Sequence, residues 1–558
     1  MNRIFDSHFH LLFKHFVTRK PDGTEFGIQD NVKTTGIGAL LNDLFGGPFD
    51  SQASPTLVSQ SELYLGMTSI LSVEHAFANR VLHFRDMDLS RVLPLDHAGF
   101  TKIREGQVSY YDEFLRQLNY HLNHQAVLAQ APYHIHFLRR ADYAGMTDAQ
   151  ISAVLNDSKR YFALTIEGGH NLSPVKIRAG IPSAYPERQL KAIQDDPAHD
   201  FLSLNLCHLS EIPEQRLGSF AQGHNKTAQM AFRSDDFMPK SGLGLSDLGK
   251  KVIRQALTHK TKPIVIDVKH MSLYTRLQYY KYRDKLVLEN PELARIPVIS
   301  SHSGFTFITV DEFIREPHFE SSKIESNDVI VEAQIKPRNR KIGKTDDLVN
   351  SGLHCNPWTI NFFDEEIIEI MKTGGIIGIS LDQRILGSSG IALNSIRDKY
   401  FEPEYIPLQE WQKLFVNGEM PGAEAIEALE GLGPTREERH VMLLCLHIIH
   451  AVRVGYKGLP WSGTDTPWKH LCIGSDFDGM INPINGIDTV LDLSKLAGEL
   501  KRYLPVADKQ LTTYTDIKAL QYSETGKLDE AFLDGVIQDF LYHNGERLII
   551  RWLRNWED

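Results

Sequence analysis

Two histidines stand two positions apart near the start of the chain, His8 and His10 in R-I-F-D-S-H-F-H, within an apolar run of strand character. Side chains on a strand alternate between faces, so both imidazoles point the same way and can grip one ion. An H-x-H pair is equally a common surface accident. The same placement recurs, however. Glu167 closes the run F-A-L-T-I-E and precedes two glycines that permit the backbone a sharp exit. His270 ends P-I-V-I-D-V-K-H, on the face of Val268, Ile266 and Ile264; His302 ends P-V-I-S-S-H, and Asp476 follows L-C-I-G-S. Singly, each reads as a hydrogen-bonded histidine or a loop-capping carboxylate. Five strands that each deliver a His, Glu or Asp to one rim strain that account.

Two carboxylates and four imidazoles on a half-buried rim carry a desolvation cost of several kcal/mol per ion unless something compensates. Divalent cations are the natural compensation. Six ligands exceed what one tetrahedral Zn²⁺ takes from a protein and suit two ions sharing a carboxylate bridge. The nitrogen-rich set favours Zn²⁺, with Mn²⁺, Fe²⁺ or Co²⁺ as the alternatives it admits. Cys207, Cys355, Cys445 and Cys472 are scattered and show no C-x-x-C spacing, which argues for a hydrolytic centre and against a structural zinc site.

The elements that must position these residues are eight short apolar segments, at 3–10, 68–74, 162–169, 201–208, 263–270, 297–304, 374–381 and 471–479. Between them lie helical patterns at 110–123, 246–259, 273–286, 364–373 and 435–454. Ser246 and Asp247 form an N-cap pair, and Thr435 opens a plausible capping box. Strands alternating with helices predict an α/β fold, a TIM-type (β/α)8 barrel over 1–558. An open doubly wound sheet is the runner-up, without a Gly-rich phosphate fingerprint after the first strand to support it. The connections 27–56, 305–358 and 382–434 are longer than a barrel needs and follow strand C-terminal ends. They are expected either to wall or cover the pocket or to serve as surface or oligomer elements.

The whole chain has 558 residues and a net charge of −11, which disfavours nucleic acid as partner. With 42% hydrophobic and 23% charged residues, it has an ordinary globular composition that can bury a large core. The start has no signal-peptide pattern, and the best apolar run, 441–452, falls short of the about 20 residues a membrane span needs. The four cysteines read as buried reduced thiols, so the expected setting is cytoplasmic, with no membrane partner; a homo-oligomer is left open.

With these motifs in order, H-F-H, T-I-E-G-G-H, I-D-V-K-H-M-S, V-I-S-S-H-S-G and I-G-S-D-F-D-G, the chain resembles the membrane (renal) dipeptidase family of the amidohydrolase superfamily. S-G-L-G-L-S-D-L-G-K-K-V-I-R-Q and H-N-G-E-R-L-I-I-R-W-L resemble that family too. The resemblance runs in blocks from Asp6 to Trp552, with the three long connections outside it. It implies that His8 and His10 bind one metal and that Glu167 bridges to a second held by His270 and His302. Asp476, beside the first metal, would handle protons. It further implies a metallopeptidase-like hydrolase cleaving an amide bond of a small substrate, a dipeptide foremost, by attack of a metal-bound hydroxide.

Departures from the family pattern matter as much. The second ligand on the first strand is His10 where the family usually has Asp, so the site loses a negative charge. The family's histidine near the end of strand four, thought to polarise the scissile carbonyl, has a displaced counterpart in His208, which reads equally as a buried or loop histidine. The arginine that holds the substrate's carboxylate has no counterpart in I-N-F-F-D-E-E; Arg338 and Arg340 in I-K-P-R-N-R-K are the substitutes, against the plainer reading of a solvated basic loop. Asp478 is either an orienting partner of Asp476 or a turn residue, and His170 stands similarly beside Glu167. Two alternatives therefore stand: hydrolysis of another bond, such as a lactone, cyclic amide or phosphoester, and a barrel that binds partners without catalysis.

Overall fold

The computed structural model describes residues 3–44, 47–79, 83–84, 87–88, 92–173, 185–209, 215–223, 242–315, 319–325, 329–335, 355–356, 358–387, 404–415 and 436–557. Eight strands follow the expected order: β1 (Ile4–Phe9), β2 (Leu63–Ile70), β3 (Arg160–Ile166), β4 (Phe201–Asn205), β5 (Val265–Asp267), β6 (Ser300–Ser303), β7 (Ile377–Ser380) and β8 (Leu471–Gly474). They are buried on both faces, which is why each reads as a near-continuous apolar run. β2 starts earlier than the 68–74 segment expected, and 71–74 is buried without strand pairing.

Parallel pairing runs β6–β7–β8–β1–β2–β3–β4–β5. A parallel bridge between Asp267 and Ile299, with the Val268 N–H donating to the Ile299 carbonyl at 3.0 Å, joins β5 to β6. The ring is thereby nearly closed, as in a TIM-type barrel and unlike an open doubly wound sheet. Small residues let the strands approach inside. Ser7 Oγ donates to the Ser301 and Ile473 carbonyls at 2.6 and 2.8 Å. A Cβ on Gly378 or Gly474 would lie 2.0 or 1.9 Å from the Ser301 carbonyl oxygen.

The expected helices are present as α1 (Tyr110–Leu128), α2 (Asp247–Thr258), α3 (Leu273–Glu289), α4 (Asp364–Lys372) and α5 (Arg436–Gly458). Ser246 caps α2 by accepting the Gly249 N–H, as predicted; Thr435 lies outside the described residues. α5 is the one described helix long and apolar enough to cross a membrane, and 83% of its apolar window is buried inside the protein. All four cysteines are buried.

The C-terminal helix α6 (Asn544–Leu553) explains the H-N-G-E-R-L block. Asn544 Nδ2 donates to the carbonyls of Trp468 and Leu471 at 2.7 and 2.6 Å, holding the entry to β8. A Cβ on Gly545 would meet the fully buried Phe5 ring at 2.0 Å. Alanine gains about 1 kcal/mol over glycine in a helix, but overpacking a core costs about 1–3 kcal/mol and occasionally more. A 2.0 Å approach puts the cost at the upper end, so Gly545→Ala is expected to lower stability by up to about 2 kcal/mol, read as a fall in Tm; an unchanged or higher Tm would show that Phe5 can withdraw.

A second, antiparallel sheet lies outside anything the periodicity predicts. It joins Phe319–Glu325, Ile330–Ile335, Glu404–Pro407 and Gln222–Gly223 in that order, drawing on the connections after β6, β7 and β4. Val331, Ala333 and Ile406 pack with Leu273 at the start of α3, and the Ala221 N–H donates to the His270 carbonyl at 2.8 Å. The described parts of 305–358 and 382–434 thus stand beside the C-terminal end of β5.

Glu404 in this sheet is buried, and its Oε1 accepts the Thr359 N–H at 3.0 Å and the Thr359 hydroxyl. Burial pushes its carboxyl up to about 7 despite those bonds. The folded state therefore holds a proton that the unfolded chain releases near pH 4.5. The stabilisation is complete below pH 4.5, falls as pH rises to about 7 and is gone above it. Relative to Glu404→Gln, which cannot titrate, the wild type is expected to lose about 3 kcal/mol between pH 4 and 8. Urea unfolding of both proteins across that range checks this, and a flat difference would show an ionised Glu404.

Candidate active site

The ligand-type residues meet at the C-terminal mouth of the barrel. On β1 the register against β2 slips between Asp6 and Phe9, so three steps on β1 oppose two on β2 and His8 sits in a bulge. Simple alternation therefore does not place the H-x-H pair, although the rings do converge, 5.2 Å apart and near perpendicular. His270 needs a similar correction. β5 ends at Asp267, and His270 has φ 69, a left-handed conformation that breaks the face it was expected to share with Ile266 and Val268. Asp476 has φ 62, and its N–H donates to the His8 carbonyl at 2.8 Å, binding the end of β8 to β1. After Glu167, Gly168 takes φ 92, the sharp exit foreseen from the two glycines; a Cβ there would strike the His170 ring at 2.3 Å.

Glu167 is the hub. Its Oε1 lies 3.3 Å from His8 Nε2, 3.4 Å from His208 Nε2 and 3.5 Å from His270 Nε2, while Oε2 lies 3.0 Å from His10 Nε2. His302 Nε2 is 4.0 Å from Glu167 and 3.0 Å from His270 Nε2. Asp476 Oδ1 is 3.7 Å from both His8 and His10, and its Oδ2 is 4.0 Å from His302. The side chains of His8, His10, Glu167 and His302 are at most 2% exposed, whereas Asp476 keeps 16%, so it marks the open side.

The donor set fits cations. His8 Nε2, His10 Nε2 and Glu167 Oε2 are buried, close and without an aligned hydrogen bond. Three rings are fixed at their outer nitrogen: His8 Nδ1 meets Ser69 Oγ at 3.2 Å, His302 Nδ1 meets Ser301 Oγ at 2.9 Å, and His208 Nδ1 meets Glu74 Oε1 at 3.0 Å. Each turns Nε2 to the centre. Electrostatics agree. Burial, reinforced by charge on His208, lowers His270 to about 3, and burial with His8 holds His302 well below its ordinary value. At His10 and His208 burial also lowers the pKa but is outweighed: Glu167 and Asp476 hold His10 up at about 9, and Glu74 and Glu167 hold His208 up at about 10. Burial raises Glu167, yet His8, His208 and His10 keep it well below the carboxylate range. The field around Glu167 calls for positive charge.

Every expected site residue among the described ones is therefore in the cluster: His8, His10, Glu167, His208, His270, His302 and Asp476. Arg338 and Arg340 lie outside the described residues. Asp478 proves to be an anchor: it accepts the N–H groups of Gln52 and Ala53 at 2.6 and 3.1 Å and pairs with the fully buried Lys14 at 2.8 Å, tying the 27–56 connection to the mouth.

Three residues escape a reading by strand ends. Glu74 was within reach, since it closes the second apolar segment. Asp6, pushed up to about 6 by burial, accepts the His8 and Ser475 N–H groups at 3.1 and 2.9 Å. Lys269, next to His270, is buried with no hydrogen bond to Nζ among the described residues, and burial lowers it to about 8.

Fold and site together define an α/β barrel whose C-terminal mouth gathers imidazoles and carboxylates able to hold cations. No family model matches the sequence, and no curated protein does. Similar solved structures include the dipeptidase AC, a metallo peptidase (13% identity, 98% of both chains, TM-score 0.44). Another is a metallo peptidase from Rhodobacter sphaeroides liganded with a phosphinate mimic of the dipeptide L-Ala-D-Ala (12% identity, 98% of both chains, TM-score 0.45). A third is the probable dipeptidase PvdM from Pseudomonas aeruginosa (13% identity, 100% of this chain and 96% of that one, TM-score 0.44).

Proposed function

We propose that this protein is a metal-dependent hydrolase of the amide bond of a small substrate, a dipeptide foremost, and that it uses two divalent ions, Zn²⁺ before others. The observation that carries this is Glu167, a buried carboxylate within 3.5 Å of four imidazole nitrogens from three different strand ends. The resemblance of the strand-end motifs to the membrane dipeptidase family supports the same reading. His8 and His10 would hold one ion, His270 and His302 the other, with Glu167 shared. Bound there, the ions supply a Lewis acid and acidify water.

The chain's own residues do the rest. Asp476, on the open side, accepts a proton at its carboxylate and returns it to the departing amine; burial raises its pKa, which suits a group that must both take and give. Ser69 and Ser301 hold the His8 and His302 rings in orientation.

Metal analysis of the dialysed protein, followed by assay on a dipeptide panel, tests the reading. Two divalent ions per chain and turnover of at least one dipeptide are expected. Turnover of a lactone with none of any dipeptide would move the reading to another bond, and a well-folded protein that takes up no metal would retire it.

A further inference from the structure

Glu74 follows β2 and stands at the outer edge of the His208 ring, opposite Glu167. Its Oε1 is 3.0 Å from His208 Nδ1 and accepts the Leu209 N–H at 3.1 Å. Glu74 is 5% exposed and His208 9%, so water does not screen the pair. At the inner edge, His208 Nε2 faces Glu167 at 3.4 Å, and the ring stands edge to face with His270, centroids 4.5 Å apart. One ligand atom from each of Glu167, His208 and His270 lies within 4.8 Å of the others. His8, Glu167, His302 and Asp476 form a second group of the same kind, with Glu167 common to both.

An ionised carboxylate only accepts hydrogen bonds, so Glu74 requires the hydrogen of a neutral His208 to sit on Nδ1. Once a cation takes the place of the Nε2 proton, that nitrogen gives its lone pair to the ion while Nδ1–H keeps its bond to Glu74. A cation takes a lone pair; a carbonyl oxygen awaiting polarisation needs a donor. A carboxylate behind an imidazole is also the arrangement that orients metal-bound histidines and raises their basicity.

We infer that His208 is a ligand of the ion shared by Glu167 and His270, with Glu74 the positioning residue that fixes its tautomer, in place of the carbonyl-polarising role the family resemblance implies. This rests on the two-ion reading proposed above.

The test titrates the full-length protein with Co²⁺ alone, following affinity by calorimetry and the ligand field by visible absorption. Wild type is expected to take two ions. His208→Ala should keep one and lose the other by more than about 100-fold, with the bands of that ion altered. Glu74→Gln should keep both, with one weakened about 10–100-fold and its bands shifted. A merely structural role would leave those bands in place.

Two ions bound to His208→Ala with wild-type affinity and spectrum would overturn the inference and leave the two-ion reading standing. Wild-type behaviour of Glu74→Gln would remove Glu74 from it. Fewer than two ions on the wild type would overturn both. Should a variant fail to fold, anomalous scattering from zinc-loaded wild-type crystals decides: an Nε2–zinc distance of about 2.1 Å supports the assignment, and one above about 3 Å overturns it.

Discussion

Glu167→Gln is expected to weaken both ions together, by about 100-fold or more each, and to cut amide hydrolysis by about a thousandfold. The glutamine is nearly the same shape, so packing against the 2%-exposed site is kept. What goes is the charge that faces His8, His10, His208 and His270 at once. An amide places an N–H₂ group where one carboxylate oxygen now meets an imidazole nitrogen, and a cation cannot use it. Because the residue is common to both ligand groups, the loss cannot be confined to one ion. Metal content after dialysis reads this directly: loss of a single ion would show that Glu167 serves one ion alone.

Asp476→Asn is expected to behave in the opposite sense. Its oxygens stand 3.7–4.0 Å from His8, His10 and His302, farther from His8 and His10 than Glu167 is, and it alone among these is partly exposed. Most ligand atoms survive the change, so both ions should remain bound. Proton transfer does not survive it. Turnover should fall by about 10²- to 10⁴-fold, in kcat with little change in KM. Full activity in Asp476→Asn would end its role as proton carrier.

The barrel was legible because parallel strands are covered on both faces and so appear as uninterrupted apolar runs. The site was legible for a related reason: ionisable residues ending such runs must share one rim once the ring closes. What stayed hidden depends on contacts between distant residues. The bulge at His8 and the left-handed turn at His270 reach the expected outcome by a different route from alternation. Glu74 closes an apolar segment, but its meaning comes from His208, 134 positions on. The antiparallel sheet was illegible because its members include a two-residue strand, and pairing across three connections, not periodicity, sets its register.

The place of β1 between β2 and β8 has a consequence for how the molecule comes into being. Asp6 and Ser475, 469 positions apart, share hydrogen bonds at the rim. On the ribosome, β1 therefore gains β2 early on one side, while its partners on β8 arrive only some 469 residues after Asp6. Long-range closure of this kind folds slowly and leaves partly built species prone to aggregate. Translation halted before residue 471 leaves an open sheet lacking Asp476, and so neither the closed ring nor the group assigned to carry protons.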